Sequence, residues 1–164
     1  MARVCKELKY QDWAPLRMEQ KEVRLAVRRP GGEDLARAEA ILAKAKGREL
    51  RGLPEIYARE TMFIKDYPDE VPLILQAIRI GDLGIAAVPC EVFAEIGLEI
   101  KSRSPLKPTF AIELANGCNG YLPTPPQHKL GGYETWRARS SYLEVDASVK
   151  ITAALLDLLN AAAK

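Results

Sequence analysis

Two apolar runs in the middle of the chain carry its clearest secondary-structure signal. They cover residues 71–80 and 85–88, and the segment between them contains Gly81 and Gly84. Apolar runs of strand length around a short, glycine-containing loop are typical of a β-hairpin. Pro89 follows the second run and ends it, because proline donates no hydrogen bond to a sheet. The pattern predicts a hairpin that stops at Pro89.

Helical spacing of apolar residues appears elsewhere. It predicts four helices, over residues 33–46, 55–66, 91–102 and 146–163. The last of these is apolar nearly all round and is expected to be buried on more than one face. Short strands are predicted over residues 23–27 and 109–114, the second apolar enough to be central in a sheet. This order indicates an α/β or α+β fold with a mixed sheet and packed helices.

A long irregular segment, residues 115–132, precedes the last helix. It holds four glycines, three prolines, a tyrosine and the only histidine of the chain, His128. Irregular segments of this length inside compact domains are usually functional or disordered. The tyrosine and the histidine favour a functional loop.

Composition bounds the domain count and the partners. The 164 residues suit a single domain or part of one, residues 1–164 being taken as one unit. The net charge of +2 gives no electrostatic case for nucleic acid. Residues 1–53 carry +5, which is typical of a solvated basic face, with a specific anionic partner as the alternative.

Export, membrane insertion and disulfide frameworks find no support in the sequence. No apolar run reaches the roughly 18 residues that span a bilayer. The charged start MARVCKELKY has no apolar core of a signal peptide. The three cysteines, Cys5, Cys90 and Cys118, are an odd and widely spaced set that favours free thiols over a disulfide framework.

Glu91 is the first candidate for chemistry. It follows Val88-Pro89-Cys90, where a predicted strand turns into a predicted helix. A carboxylate there either stabilises the helix start or acts as a metal ligand or general base at a strand end. Cys90 is either a buried, inert thiol or a nucleophile paired with His128.

The second candidate is the loop that follows the strand over residues 109–114. It runs through Asn116, Tyr121 and Thr124 and continues to His128 and Tyr133. If the two strands are parallel, this loop leaves the sheet at the edge where Glu91 emerges. The alternative is a turn-rich loop whose tyrosines cap the core. His128 is either a structural histidine or a functional one.

These two segments resemble a known family. The run AIRIGDLGIAAVPCEVFAEIGLEIK (77–101) and the run IELANGCNGYLPTPPQHKLGGYE (112–134) are similar to neutral/alkaline non-lysosomal ceramidases, particularly bacterial ceramidase-like members. The resemblance extends over about residues 71–160 and places them in the C-terminal part of the catalytic domain. Members of this family are zinc-dependent amidases that cleave ceramide into a fatty acid and a sphingoid base.

The resemblance implies roles for particular residues. Glu91 and Tyr121 occupy the positions of two zinc ligands. Asn116, Thr124, His128 and Tyr133 occupy positions that contact substrate or shape the site, and His128 stands where many members have tyrosine. Gly97 and Glu134 also fall on matching positions, whereas Cys90 replaces the usual glycine. The implied cofactor is zinc, and the implied substrate is a ceramide-like lipid.

The family's two histidine ligands and its serine segment have no counterpart here, so no catalytic residue is assigned. His128 would serve as a third ligand only if its loop folded back towards Glu91. The chain is therefore expected to be part of such an amidase, inactive alone and completed by the missing N-terminal part. The alternative is a non-catalytic fragment or descendant that binds lipid or protein. Complete family members are often exported.

Overall fold

The computed structural model describes residue 10 and residues 12–164. The described chain forms strands β1 (Leu16–Ala26), β2 (Glu70–Ile80), β3 (Leu83–Ala87), β4 (Glu91–Val92), β5 (Thr109–Ile112) and β6 (Tyr121–Leu122). Its helices are α1 (Gly32–Ala45), α2 (Gly52–Ile64), α3 (Ala94–Arg103), α4 (Pro125–Leu130) and α5 (Ala147–Ala162). A turn of 3₁₀ helix spans Tyr133–Thr135. Cys5 lies outside the described residues.

Four of the strands form a mixed sheet in the order β1-β2-β3-β5. The first three are antiparallel, and β5 runs parallel to β3. The predicted hairpin is confirmed as β2–β3, with Ile80 paired to Leu83 across the turn. Gly81 supplies the positive φ of 61° that this tight turn requires. The mixed sheet and its packed helices confirm the α/β or α+β fold class.

Helix α5 covers one face of the sheet, which we call the inner face. Leu73, Leu75 and Ala77 of β2 are buried there. On the same side of β2, Arg79 donates from Nη1 to the carbonyl of Ala163 at 2.8 Å. A cation at this position stabilises the negative end of the helix. The predicted helix is confirmed, and buried residues lie on more than one of its faces.

Ion pairs connect helices α1 and α2 to Arg137 and Arg139, which lie shortly before the last helix. Glu60 is buried in α2 and accepts hydrogen bonds from Arg139 Nε at 2.8 Å and Nη2 at 2.9 Å. The Arg139 guanidinium also lies 4.2 Å from the ring centre of Phe63. Asp34 of α1 accepts from Arg137 Nη2 at 2.7 Å.

Arg28 makes a second long-range link just after β1. Its guanidinium donates to the carbonyls of Leu143, Thr135 and Ser141, each at 2.8 Å. Burial lowers the pKa of Arg28, and the neighbouring Arg137 lowers it further. The segment after the 3₁₀ helix is therefore held against the end of β1.

The strand predictions need two corrections. The prediction that residues 109–114 lie centrally is wrong, because β5 pairs with β3 alone at one edge of the sheet. Its apolar Phe110 and Ile112 are exposed, so its apolar character does not reflect burial between two strands. The strand predicted over residues 23–27 begins earlier, at Leu16, because β1 pairs with β2 along its whole length.

Two further predictions change around the candidate site. Glu91 does not begin a helix: its backbone is extended in β4, and Phe93 caps α3. Residues 115–132 are not irregular throughout, since they contain β6 and α4. Thr124 caps α4 by accepting a hydrogen bond from the Gln127 amide at 3.4 Å. Among the described helices, none has the length and apolar character needed to cross a membrane.

Substituting Glu60 by glutamine should lower the free energy of unfolding at neutral pH by about 1.5–3 kcal/mol, the range for hydrogen bonds to charged groups. Arg139 holds the pKa of Glu60 below its usual value. A carboxyl of this kind stabilises the fold above its unfolded pKa, and the contribution is lost as pH falls through the folded pKa. In urea unfolding, the difference between wild type and E60Q should therefore shrink as pH is lowered below about 4.

Glu99→Gln is the matched control, because Glu99 pairs with Arg103 on an exposed helix surface. Such pairs contribute little to stability. A loss in E99Q as large as that in E60Q, or an E60Q deficit that does not depend on pH, would contradict the assignment.

Candidate functional site

The site is built where β3 and β5 end. The two strands are parallel, so their carboxyl ends lie side by side at one edge of the sheet. Beyond them the chain forms β4 and β6, which are again parallel, and Glu91 pairs directly with Tyr121. The amide of Glu91 donates to the carbonyl of Gly120 at 2.9 Å. The structure therefore brings the two predicted metal ligands into neighbouring positions.

Both side chains line a cavity of about 200 Å³. Its walls combine three carboxylates, two tyrosine rings and two apolar side chains: Glu91, Glu113, Glu134, Tyr121, Tyr133, Val92 and Phe93. The oxygen-rich wall is negatively charged when the carboxylates are ionised. Such a wall suits a cation or a hydrogen-bond donor.

Tyr121 and Tyr133 pack edge to face, with ring centres 5.6 Å apart. The neighbouring Tyr133, together with burial and the negative charge of Glu91, raises the pKa of Tyr121 to about 12. The Tyr121 hydroxyl is therefore protonated near neutral pH in the metal-free protein. Tyr133, which the resemblance put in a shaping role, packs against the Tyr121 ring and lines the same cavity.

Asn119 fixes the loop that carries Tyr121. Its backbone amide and its side-chain Nδ2 both donate to the carbonyl of Pro89, at 2.8 and 3.0 Å. Its Oδ1 accepts from the Tyr142 hydroxyl at 2.7 Å. Sequence analysis assigned no role to Asn119 or Tyr142. A polar residue between glycines after a strand end was the only signal for Asn119.

Glu113 was also missed by sequence analysis. It follows β5 and accepts a hydrogen bond from the amide of Val92 through Oε2 at 2.9 Å. This contact joins the end of β5 to β4 and places a carboxylate in the cavity wall beside Glu91. The sequence signal was a carboxylate at a strand end, the same kind that pointed to Glu91.

Gly120 permits the closest backbone approach in the site. Its φ is +74°, and a Cβ built there would lie 2.3 Å from the carbonyl oxygen of Ser140. The same carbonyl accepts a hydrogen bond from the backbone amide of Tyr121 at 2.8 Å. A side chain at position 120 would therefore separate β6 from the segment that anchors it.

Three of the four predicted shaping residues, Asn116, Thr124 and His128, do not line this cavity. Asn116 is exposed and donates from Nδ2 to Gln76 Oε1 at 2.6 Å, on the sheet face opposite α5. Thr124 caps α4 and lines a different groove of about 680 Å³ between α3, α4 and α5. Their roles in a site remain predictions.

Cys90 and His128, the pair considered for a thiol enzyme, do not line the cavity of Glu91 and Tyr121. His128 lies in α4, and its pKa is lowered by burial and by Arg28, against the opposing effect of Asp146. Cys90 is fully buried, and burial, with a smaller effect of Cys118, raises the pKa of its thiol to about 12. The expectation that Cys90 is buried is confirmed.

One kind of metal-binding cluster is absent from the described residues. Nowhere among them do three or more histidine, cysteine, aspartate or glutamate side chains cluster closely enough to hold a metal ion. Within that part of the chain, Cys90 and Cys118 are both free. Glu91 and Tyr121 therefore stand as a pair of neighbouring oxygen donors.

The fold is shared with bacterial neutral ceramidase. The neutral ceramidase from Pseudomonas aeruginosa superimposes over 90% of this chain, with a TM-score of 0.54 and 16% sequence identity. A structure described as a ceramidase complexed with C2 matches over 90% of this chain, with a TM-score of 0.54 and 17% identity. No protein-family profile and no curated protein sequence matches the chain.

The chain resembles these ceramidases in fold, as its two sequence runs suggested. It spans 28% and 30% of the length of the two ceramidase structures. The common fold therefore corresponds to one portion of a much larger chain.

Gly120→Ala should lower the free energy of unfolding by about 2–5 kcal/mol, because it combines backbone strain with a clash against Ser140. Gly97→Ala is the matched control, since a Cβ at this position in α3 meets no other atom within 4 Å. It should raise stability by about 0.5–1 kcal/mol through helix propensity. Urea unfolding measures both, and equal effects would contradict the close approach at Gly120.

Proposed function

We propose that the chain is part of a zinc-dependent amidase of the neutral ceramidase type, which hydrolyses the N-acyl amide of ceramide-like lipids. One observation carries this proposal. Glu91 and Tyr121 are register partners on neighbouring parallel strands and face one cavity, in a fold shared with a neutral ceramidase.

The donor chemistry fits part of a zinc site. Zinc accepts carboxylate oxygen, and a catalytic zinc commonly keeps three protein ligands and one open position. Glu91 and Tyr121 would supply two of these ligands, with the others coming from outside the described residues. A bound zinc would supply Lewis acidity towards the amide carbonyl and lower the pKa of a bound water.

The remaining groups in the cavity have supporting roles in this proposal. Tyr133 packs edge to face against the Tyr121 ring and would hold it in place. Glu113 and Glu134 add negative charge to the wall, which favours a divalent cation near Glu91. Tyr121 would give up its proton on binding the metal, so that zinc affinity should rise with pH.

Zinc binding gives the first test. Calorimetric titration of the chelator-washed chain should detect weak zinc binding that Glu91→Gln and Tyr121→Phe each weaken by roughly tenfold or more, since each removes one of two ligands. Glu95→Gln is the matched control, because Glu95 lies in the first turn of α3 and bonds Gln127 outside the cavity.

Two outcomes would contradict the ligand assignment. One is zinc binding that is equal in wild type, E91Q and Y121F. The other is the absence of any zinc uptake by the wild-type chain. Circular dichroism of each variant separates loss of a ligand from loss of the fold.

Amide hydrolysis gives the second test. With zinc present, the chain alone should release no more fatty acid from a fluorescent N-acyl sphingosine than a zinc blank, because two protein ligands leave the site incomplete. Release that depends on Glu91 would instead show that the chain completes the site alone.

A lipid-binding module is the second candidate function, and the groove between α3, α4 and α5 favours it. The groove encloses about 680 Å³, a volume in the range of small-molecule sites, and Ile96, Pro126 and Val149 contribute apolar walls. Two of its helices, α3 and α4, follow β4 and β6 in the chain. If E91Q and Y121F each bind the same fluorescent lipid as tightly as wild type does, this alternative is favoured.

A further inference from the structure

Two cysteines lie on the two chain segments that carry the candidate zinc ligands. Cys90 directly precedes Glu91, and Cys118 lies in the loop that leads to Tyr121. Cys90 is fully buried, whereas Cys118 is exposed, and both thiols are free. Neither cysteine lines the cavity of about 200 Å³, so the function proposed above makes no use of them.

Backbone contacts hold the two cysteine-bearing segments side by side. The amide of Asn119 donates to the carbonyl of Pro89 at 2.8 Å. On the other side of Cys118, a Cβ built on Gly117 would lie 3.5 Å from the Cβ of Pro89. Both chain neighbours of Cys118 therefore approach Pro89, which is itself the chain neighbour of Cys90. The two cysteines thus lie one position apart across a single contact between the segments.

The hydroxyl of Tyr142 gives a second indication that the two sulfur atoms are close to each other. Burial, together with Cys90, Tyr67 and Cys118, raises the pKa of Tyr142 to about 12. Cys118 also adds to the effect of burial in raising the pKa of Cys90. A neighbouring charge shifts a pKa in this way only at close range. Both sulfur atoms therefore lie near one hydroxyl.

We propose that Cys90 and Cys118 form a reversible disulfide in the folded protein when it meets a small-molecule disulfide such as oxidised glutathione. A disulfide requires Cα atoms roughly 4.4–6.8 Å apart. Neighbouring hydrogen-bonded segments run about 5 Å apart, so a pair that is offset by one position falls within this range. Gly117, whose φ is +150°, precedes Cys118 and leaves the backbone free to turn that side chain inwards.

The order of the two exchange steps follows from exposure. The exposed Cys118 thiolate attacks one sulfur of oxidised glutathione, which forms a mixed disulfide and expels one glutathione thiolate. Cys90 then gives its proton to solvent and attacks the Cys118 sulfur, which forms the protein disulfide and expels the second glutathione thiolate. The protein loses two electrons and two protons, and the oxidant takes them up as two molecules of reduced glutathione. Because Cys90 is buried, the oxidant itself does not need to reach it.

The disulfide would join the segment of Glu91 to the segment of Tyr121. It would close a loop over residues 90–118, which contains α3 and β5. Closing a loop restricts the unfolded chain, so the oxidised protein should resist urea better than the reduced protein. The proposal is independent of zinc, because it rests on the two thiols and predicts nothing about metal binding. Failure of either proposal leaves the other standing.

Mass spectrometry of the folded, metal-free chain in a mixture of reduced and oxidised glutathione tests the proposal. After the remaining thiols are alkylated, a digest of wild type should contain one pair of peptides joined through Cys90 and Cys118, and dithiothreitol should separate them. The urea midpoint of the oxidised protein should lie roughly 1 M or more above that of the reduced protein. Cys118→Ser should abolish both effects. Cys5→Ser is the matched control and should retain both.

Cys90→Ala supplies a second readout, because it should stop the reaction at the mixed disulfide and leave one glutathione on Cys118. Should this core variant unfold, Cys118→Ser at an exposed position keeps the proposal testable, and circular dichroism establishes which variants are folded. Wild type that only carries glutathione on Cys118, or that remains fully reduced, overturns the proposal. A bond that pairs either cysteine with Cys5 overturns it as well, as does a Cys90–Cys118 bond that forms only in denaturing urea.

Discussion

The parallel pairing of β3 with β5 is the constraint on which the rest of the site depends. Parallel neighbours end at the same edge of a sheet, so the segments that follow them start close together. β4 and β6 continue this parallel relationship and set Glu91 directly opposite Tyr121. Asn119 and Gly120 then secure the arrangement, the first through the Pro89 carbonyl and the second by leaving room for Ser140.

Much of this arrangement could be predicted from the sequence because it rests on local patterns. The hairpin and the buried last helix follow from apolar spacing and from the positions of glycine and proline. The same pattern placed Glu91 and the loop of Tyr121 after two strand ends, which share one edge of the sheet if the strands are parallel. The position of β5 could not be predicted in the same way. Phe110 and Ile112 are apolar yet exposed, and a sequence pattern does not distinguish an uncovered face from a central position.

The errors around Glu91 have a similar origin. A carboxylate after a proline and before a helical pattern is what a helix start requires, yet the Glu91 amide bonds Gly120, which is 29 positions further along the chain. Only tertiary contact distinguishes the two outcomes. The supporting residues Asn119, Tyr142 and Glu113 escaped prediction because their partners are backbone groups or distant side chains. Asn116 shows the converse, since its side chain bonds Gln76 on the sheet face opposite α5 rather than lining the cavity.

The reach of Arg28 has a consequence for the order in which the molecule folds. Its guanidinium is bonded to carbonyls that lie 107 to 115 positions away, on the segment that follows Tyr133. Contacts of such long sequence separation form slowly, because the intervening chain must be closed into a loop first. The wall of the cavity that contains Tyr133 is therefore expected to be completed late, after the first third of the chain has met the last.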